Sequence, residues 1–202
     1  FVQKGVGQLV LSGGEPLSRF DDLLQLLNRY KKKCDTWVYT SAFGLTYEKA
    51  SSLKKAGLNG AAISLDHHIE EEHNRFRGNK KSFYWVLEGI KNLQKAGVLV
   101  SINVCPSRAY LDNSGAENMI AFAKKLEVPI VNFLEPRAVG NYQSKDVELL
   151  PEHKESLRAT SEKYNFNSQL FEFPTVLFPA GYRKSVACGG GQSYLFLDYD
   201  GS

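Results

Sequence analysis

An α/β fold built on a parallel sheet is what this sequence predicts, and three observations predict it. Apolar segments rich in Val and Ile alternate with amphipathic segments of helical period along most of the chain. A short internal repeat marks the unit. Leu53-Lys54-Lys55-Ala56-Gly57 recurs as Leu93-Gln94-Lys95-Ala96-Gly97, each time ahead of an apolar run, and the closing glycine is a usual helix stop. Strands that are each followed by a helix demand right-handed crossovers, and such a sheet is either doubly wound or curled into a barrel.

The elements follow in order. Gln8–Ser12 reads as the first strand. Ser18–Lys33 reads as a helix, with Ser18 as N-cap, Asp21 three residues on, and Phe20, Leu23, Leu24, Leu27 and Tyr30 on one face. Thr36–Thr40 is a strand, Thr46–Ala56 a helix stopped by Gly57, and Gly60–Leu65 a strand. Ser82–Ala96 is a helix with Val86, Ile90 and Leu93 aligned, followed by the strand Val98–Val104. Ser114–Leu126 is a helix, Ile130–Leu134 a strand and Pro151–Tyr164 a helix. Beyond Tyr164 the alternation breaks. Phe171, Phe173, Pro174, Phe178 and Pro179 make an aromatic, proline-punctuated link, and Cys188-Gly189-Gly190-Gly191 leads into a strand at Ser193–Asp198.

Composition narrows the function. The 202 residues are 43% hydrophobic, enough for a sizeable core. The net charge is only +3, and the lysines sit late in helices, where they favour the helix dipole, so solvated helix faces are expected and a nucleic-acid partner is not. Three scattered cysteines, Cys34, Cys105 and Cys188, argue against a disulfide-stapled secreted scaffold and for a cytoplasmic protein. No apolar run approaches the length of a membrane span, so no membrane partner is expected. Phe1–Gly5 reads like the tail of a helix and Asp198–Ser202 like the middle of a hairpin turn, as in a piece of a longer protein.

In either kind of parallel sheet, ligands bind beyond the carboxyl ends of the strands. The residues there are Ser12-Gly13-Gly14-Glu15-Pro16, Thr40-Ser41-Ala42, Ser64-Leu65-Asp66, Asn103-Val104-Cys105 and Glu135-Pro136-Arg137. Gly13-Gly14 is not a phosphate loop, because no lysine follows at the required spacing and the next residue is an acid. An acid beside bare backbone carbonyls suits an ammonium, which has three donors and accepts nothing. A tight turn with Glu15 in solvent is the simpler reading of Gly-Gly-Glu-Pro taken alone.

The stretch Leu11-Ser12-Gly13-Gly14-Glu15-Pro16-Leu17 resembles the Gly-Gly-Glu-Pro motif of radical S-adenosylmethionine enzymes. Further segments agree. Ile63-Ser64-Leu65-Asp66, His73 to Gly78, and Leu87, Ile90 and Leu93 resemble that family's fourth strand, loop and helix. Val98–Asn103 resembles its fifth strand and Leu134-Glu135-Pro136, with Gly140 beyond, its sixth. Cys188-Gly189-Gly190-Gly191-Gln192 and Leu195 to Gly201 resemble the start of the C-terminal extension called SPASM or twitch. The resemblance implies a partial TIM barrel over residues 1–165, lacking the family's first strand, and a linker with the start of a small β-hairpin extension over 166–202. It implies reductive cleavage of S-adenosylmethionine at a 4Fe–4S cluster, giving a 5′-deoxyadenosyl radical that takes hydrogen from a peptide or small-molecule substrate, as in peptide and protein maturases. An electron donor such as flavodoxin or ferredoxin is implied as partner. The family's Cys-x-x-x-Cys-x-x-Cys cluster motif does not occur in these 202 residues and is expected ahead of Phe1.

The resemblance also assigns residues. Gly13, Gly14 and Glu15 meet the methionine ammonium. Ser41 lies near the cofactor, with helix-entry solvation as the even alternative. Ser64 and Asp66 end a strand where a hydroxyl can reach the cofactor's carboxylate or ribose. Arg77, preferred over Arg75, can bind a carboxylate in bidentate fashion, the alternative being an exposed ion pair with Glu70, Glu71 or Glu72. Asn103 joins them if its side chain faces the barrel mouth, since a one-residue shift reverses the face. Leu134, with Glu135, sits where the family packs adenine. His67, His68 and His73 lie in an acidic stretch that reads as a solvated loop. Cys34 and Cys105 read as buried structural thiols, and Cys188 as a ligand of an auxiliary iron–sulfur cluster. A barrel without a cluster, serving as a peptide- or partner-binding module, is the non-enzymatic alternative. A Schiff-base aldolase ranks last, since no strand-end loop offers a convincing lysine.

Overall fold

The computed structural model describes residues 5–166 and 173–178. Six parallel strands form one sheet in the order β1-β2-β3-β4-β5-β6: Gln8–Leu11, Asp35–Thr40, Gly60–Ser64, Leu99–Val104, Ile130–Phe133 and Thr175–Leu177. Among the described residues seven α-helices connect or follow them: α1 Phe20–Tyr30, α2 Tyr47–Ala56, α3 Glu70–Arg77, α4 Ser82–Lys95, α5 Arg108–Asp112, α6 Gly115–Lys125 and α7 Pro151–Phe166. Strictly sequential strand order decides between the two sheet architectures. A doubly wound sheet reverses its order at a switch point, whereas sequential right-handed crossovers put every helix on one face, as in a barrel. The sheet is not closed, so this is a partial barrel.

Alternation along the strands sorts the residues. Val38, Ala61, Ile63, Val100, Ile102, Val104, Val131 and Phe133 are almost wholly buried and pack into one core with Leu27, Leu53, Ile90, Leu93, Met119 and Ile120 from the helices. The opposite, concave face carries Val10, Trp37, Tyr39, Gly60, Ala62, Ser64, Leu99, Ser101, Asn103 and Asn132, as the strand registers show. It is small and polar in the middle, with aromatic and aliphatic side chains near the β1–β2 edge. Gly60 is required there, since a Cβ would lie 2.6 Å from the Trp37 indole.

Several elements differ from the sequence reading. The helix after β1 begins as a 3-10 turn at Pro16–Arg19, and its N-cap is Glu15, whose carboxylate accepts from the Leu17 N–H. Ser18 therefore does not cap; its hydroxyl donates back to the Glu15 carbonyl at 2.6 Å. The acidic stretch around the histidines is helix α3. Three glutamates open it, Arg75 and Arg77 close it, and Gly78 ends it in the left-handed conformation; both charge placements complement the helix dipole. The aromatic link contains β6, which pairs with β5 from Ile130–Thr175 to Asn132–Leu177. Helix α7 fastens this short strand: Ser161 Oγ and Asn165 Nδ2 donate to the Val176 carbonyl, and the Val176 N–H donates to Asn165 Oδ1. Cys34 and Cys105 are free thiols and only half-buried, not core residues. Cys188 and the strand expected at Ser193–Asp198 lie outside the described residues. Among the described residues no helix is long and apolar enough to cross a membrane.

Candidate functional site

The carboxyl ends of β1 to β5 lie along one edge of the sheet, the rim, and hydrogen bonds tie the β1 turn to the end of β2, the β3 loop to β4, and the β5 loop to β4. At the β1 end, Gly13 holds φ +133, a conformation that disfavours any side chain, and a Cβ on either Gly13 or Gly14 would meet nothing within 4 Å. Bare backbone thus faces open space. Glu15 fixes that turn. Its Oε1 accepts from Thr40 Oγ1 at 2.6 Å and from the Leu17 N–H at 3.1 Å. Its Oε2 accepts from the Ser41 N–H at 2.8 Å and from Ser41 Oγ at 2.5 Å. The carboxylate is therefore occupied in locking the β1 turn to the end of β2, and Ser41 is its partner. The outward-facing part of the motif is the Gly13-Gly14 backbone.

The β2 loop continues through Ala42, which is buried and sits at φ +63. It fits only because residue 89 of α4 is glycine: a Cβ there would lie 2.5 Å from the Ala42 Cβ. A helix on the outer face thereby sets the loop that carries Ser41.

A second group forms at the ends of β3 and β4. Asp66 is buried, and its Oδ2 accepts from Arg77 Nε at 2.6 Å while Oδ1 accepts from the Cys105 N–H at 3.1 Å. The Asp66 N–H donates to His73 Nδ1 at 3.2 Å, which requires that nitrogen unprotonated. Burial drives the His73 pKa down to about 4, helped by the Arg77 charge, so the imidazole is neutral near pH 7. Burial also raises the Asp66 carboxyl, against the pull of Arg77. Arg77 is thus neither an exposed partner of the α3 glutamates nor free; Arg75 takes the surface role, pairing with Glu72. Asp66 presents Arg77 by its Nε and leaves the terminal guanidinium nitrogens available, with the Arg77 side chain 32% exposed.

Deeper on the concave face, Ser64, Asn103 and Asn132 lie side by side in register. Asn103 does face the mouth, and its Oδ1 accepts from Asn132 Nδ2 at 3.2 Å. Asn132 escaped the sequence reading because attention to strand ends stops at Leu134, two residues on. Leu134 itself is exposed to 37%, unusual for a leucine at the end of a core strand. Glu135 is nearly buried between Arg137 and Lys154, each at 2.6 Å, and so serves the local structure.

Histidines 67 and 68 stand beside the rim. Their rings stack at 4.8 Å, His67 lies 4.3 Å from the Tyr110 ring, and His68 Nδ1 is 3.1 Å from the Tyr110 hydroxyl. Burial lowers both histidines and pushes the Tyr110 phenol up. A cavity of about 170 Å³ opens here between Asp66, His67, Phe76, Cys105 and Tyr110. Burial and the neighbouring Asp66 charge hold the Cys105 thiol up, so it is not primed as a thiolate. A wider cavity of about 490 Å³ lies at the opposite end of the sheet, among Lys31, Lys32, Lys33 and Lys54. There Lys31 Nζ donates to the Lys55 carbonyl at 2.6 Å, which makes Lys31 a partner of the α2 C-terminus.

Comparison with known proteins adds the family. The model of the radical SAM superfamily matches residues 1–107, more than half of the chain. This chain belongs to the radical SAM superfamily. Relatives found by sequence include the GTP 3′,8-cyclase of Aliarcobacter butzleri (strain RM4018), 31% identical over 147 residues, which is 72% of this chain and 44% of that protein. The GTP 3′,8-cyclase of Campylobacter curvus (strain 525.92) is 29% identical over 168 residues, 81% of this chain and 50% of that protein. The chain thus spans about half the length of the curated relatives it matches. Among solved structures, Streptococcus suis SuiB superposes with a TM-score of 0.64 at 16% identity, over 88% of this chain and 40% of that one. The protein anSMEcpe, solved with bound AdoMet and the Cp18Cys peptide, superposes at 0.61 and 17% identity, over 81% and 48%. At such identities these structures establish the shared fold, and the radical SAM barrel is the fold they share.

The family's cofactors can be set against the residues. Among the described residues no three of His, Cys, Asp and Glu are grouped to hold a metal, and Cys34 and Cys105 sit at opposite ends of the sheet. The described residues therefore do not fit the 4Fe–4S cluster. They do fit a small zwitterion with a ribose and a base: bare backbone at Gly13-Gly14, a presented guanidinium, neutral hydroxyl and amide groups, and an exposed leucine follow one another around the rim.

Proposed function

We propose that this chain forms the S-adenosylmethionine-binding wall of a radical S-adenosylmethionine enzyme. One observation carries the reading: the Gly13-Gly14 backbone is bare, faces open space and is locked in place by a glutamate that spends its charge on the neighbouring loop. In this reading the Gly13-Gly14 carbonyls accept from the methionine ammonium, with Glu15 and Ser41 holding the turn. Arg77, presented by Asp66, binds the methionine carboxylate. Ser64 and Asn103 meet the polar groups of the ribose, and Leu134 covers the adenine. When bound, S-adenosylmethionine would supply a 5′-deoxyadenosyl radical, since one electron added to its sulfonium breaks the C5′–S bond and leaves methionine, and that radical would take a hydrogen atom from substrate. The concave face, closed to bulk water once occupied, would shelter that radical from side reactions.

The cluster ligands come from residues other than those described, and so does an auxiliary cluster at Cys188 if the extension is of SPASM type. The substrate is a small molecule or a peptide. The relatives matched by sequence bear the name of a GTP cyclase, which favours a nucleotide-like small molecule, whereas SuiB with its precursor peptide SuiA shares the fold alone. Flavodoxin or ferredoxin would serve as electron donor.

The test uses the full-length protein, purified without oxygen and reconstituted with iron and sulfide. With dithionite and S-adenosylmethionine it should release 5′-deoxyadenosine, and Gly14→Trp should abolish release while iron content stays unchanged. Absence of both iron uptake and product would leave the glycines as a turn and favour the second reading, a cluster-free binding module. The lack of a metal-holding group among the described residues is what that reading has in its favour.

A further inference from the structure

The cavity of about 170 Å³ beside the ends of β3 and β4 has no role in holding S-adenosylmethionine as read above. Three rings wall it: Phe76 from α3, His67 from the β3 loop and Tyr110 from α5. His67 and Tyr110 are packed together at 4.3 Å, and Phe76 is 46% exposed, so part of its ring can cover a guest. Size limits that guest. A cavity of about 150 Å³ takes a benzene ring, so this one suits a single six-membered ring and is too small for the two fused rings of an indole or a purine.

Charge limits it further. The Glu72 carboxylate is paired with Arg75, and the Asp66 carboxylate with Arg77. Burial lowers the His67 imidazole and raises the Cys105 thiol and the Tyr110 phenol, so all three are uncharged near pH 7. A phosphate or an ammonium would give up its hydration here without meeting a spare counter-charge. The neutral polar groups of the lining are donors. His67 Nδ1 accepts from the Ile69 N–H at 3.0 Å, so its proton sits on Nε2. The Ser107 hydroxyl accepts from the Tyr110 N–H at 3.1 Å and keeps its own proton to give. A nucleobase edge brings N–H groups that need acceptors, whereas a phenol oxygen accepts from such donors. Asp66 joins this cavity to the rim, since it lines the one and presents Arg77 to the other. We propose that the cavity takes one uncharged benzenoid ring, that of a phenylalanine or tyrosine side chain, and so anchors the substrate beside the methionine end of S-adenosylmethionine. This rests on the reading of the rim as the S-adenosylmethionine site. The guanine of a GTP-like substrate would lie elsewhere.

The test is ligand-observed NMR titration of the reconstituted full-length protein with 4-methylphenol, 3-methylindole and 9-methylguanine. The phenol should bind saturably, with a dissociation constant on the order of 1 mM for so small a ligand, and the two-ring probes more weakly. Phe76→Ala should weaken the phenol by about two- to tenfold, the value of one aromatic contact. Cys105→Leu, which fills the cavity, should abolish its binding. Tyr84→Ala, which removes an exposed ring elsewhere on α4, should leave it unchanged. N-acetyltyrosine amide and free tyrosine then separate the sources: preference for the capped form supports a ring within a peptide, preference for the free form a single amino acid. Two-ring probes that bind as well as the phenol overturn the inference, as does a phenol affinity untouched in a Phe76→Ala protein of wild-type Tm. Protein that binds S-adenosylmethionine but no phenol overturns the inference alone. Protein that binds the phenol but no S-adenosylmethionine overturns the reading of the rim, and the ring's role as substrate anchor falls with it.

Discussion

Removing the Glu15 carboxylate should cost the fold more than any surface glutamate would. Four hydrogen bonds converge on it: the Leu17 and Ser41 backbone N–H groups and the Thr40 and Ser41 hydroxyls. In Glu15→Ala the two hydroxyls can turn to other partners, but the two N–H groups lose an ionised acceptor. Bonds to charged groups are each worth about 1.5–3 kcal/mol net. Taking the low end for the two backbone donors, because the site is only half-buried, gives a loss of about 3 kcal/mol. For a chain of this size that is a fall in Tm of about 6–12 °C. Glu15→Gln keeps the oxygen that serves Leu17 and Thr40 but aims an amide N–H at the Ser41 N–H, so it should cost about 1–2 kcal/mol. Urea unfolding of both variants, with unchanged m-values, measures this directly. If both fall within about 0.5 kcal/mol of wild type, the range of ordinary surface changes, Glu15 does not lock the turn and the account of the rim fails at its first step.

His73 gives a pH test. Its pKa is about 4 in the fold against 6.5 ordinarily, so the unfolded chain takes up the proton first. Stability is full above about pH 6.5, falls as pH drops toward 4 and is level below that, a loss of about 3 kcal/mol if His73 acted alone. Asp66, raised by burial, takes a proton more readily in the fold and offsets part of it. Between pH 7 and 4.5, wild type should lose about 2 kcal/mol more than His73→Asn in denaturant titrations; equal losses would contradict the buried neutral imidazole. Gly89→Ala should destabilise by about 1–3 kcal/mol through overpacking against Ala42, and Ala42→Gly, which removes the opposing methyl, should restore most of it in the double variant. Arg77→Lys should lower affinity for S-adenosylmethionine in calorimetry, because a lysine cannot hold Asp66 and a carboxylate through one planar group.

The strands and most helices were legible because buried parallel strands are Val- and Ile-rich, their helices are amphipathic, and two of them, α2 and α4, share the Leu-x-x-Ala-Gly stop. Helix α3 was not, since it is charged nearly all round and buries one histidine, so neither periodicity nor hydropathy marks it. Strand β6 hid between Phe173-Pro174 and Phe178-Pro179, three residues long and held by side chains of α7 rather than by any pattern of its own. The strand ends were legible as positions: Gly13, Gly14, Ser41, Ser64, Asp66, Asn103 and Leu134 lie at or next to the carboxyl ends of β1 to β5, and Arg77 closes α3. What each does was not, because the partners come from distant segments. Glu15 meets residues 25 and 26 positions on, and Asp66 meets Arg77 and the Cys105 N–H across separate loops. The pleat phase of β4 and β5, which brings Asn103 to Asn132, is likewise set by tertiary packing.

The most direct measurement is a binding titration of S-adenosylmethionine against the reconstituted full-length protein and its Gly14→Trp variant. The site at Gly14 is open, with nothing within 4 Å of a Cβ, so the indole should leave the fold and its Tm intact while filling the space in front of the bare backbone. Binding to wild type should be saturable, with at least a tenfold loss, about 1.4 kcal/mol, in the variant. Equal affinity in two equally stable proteins would contradict it, and would place the cofactor away from Gly13-Gly14.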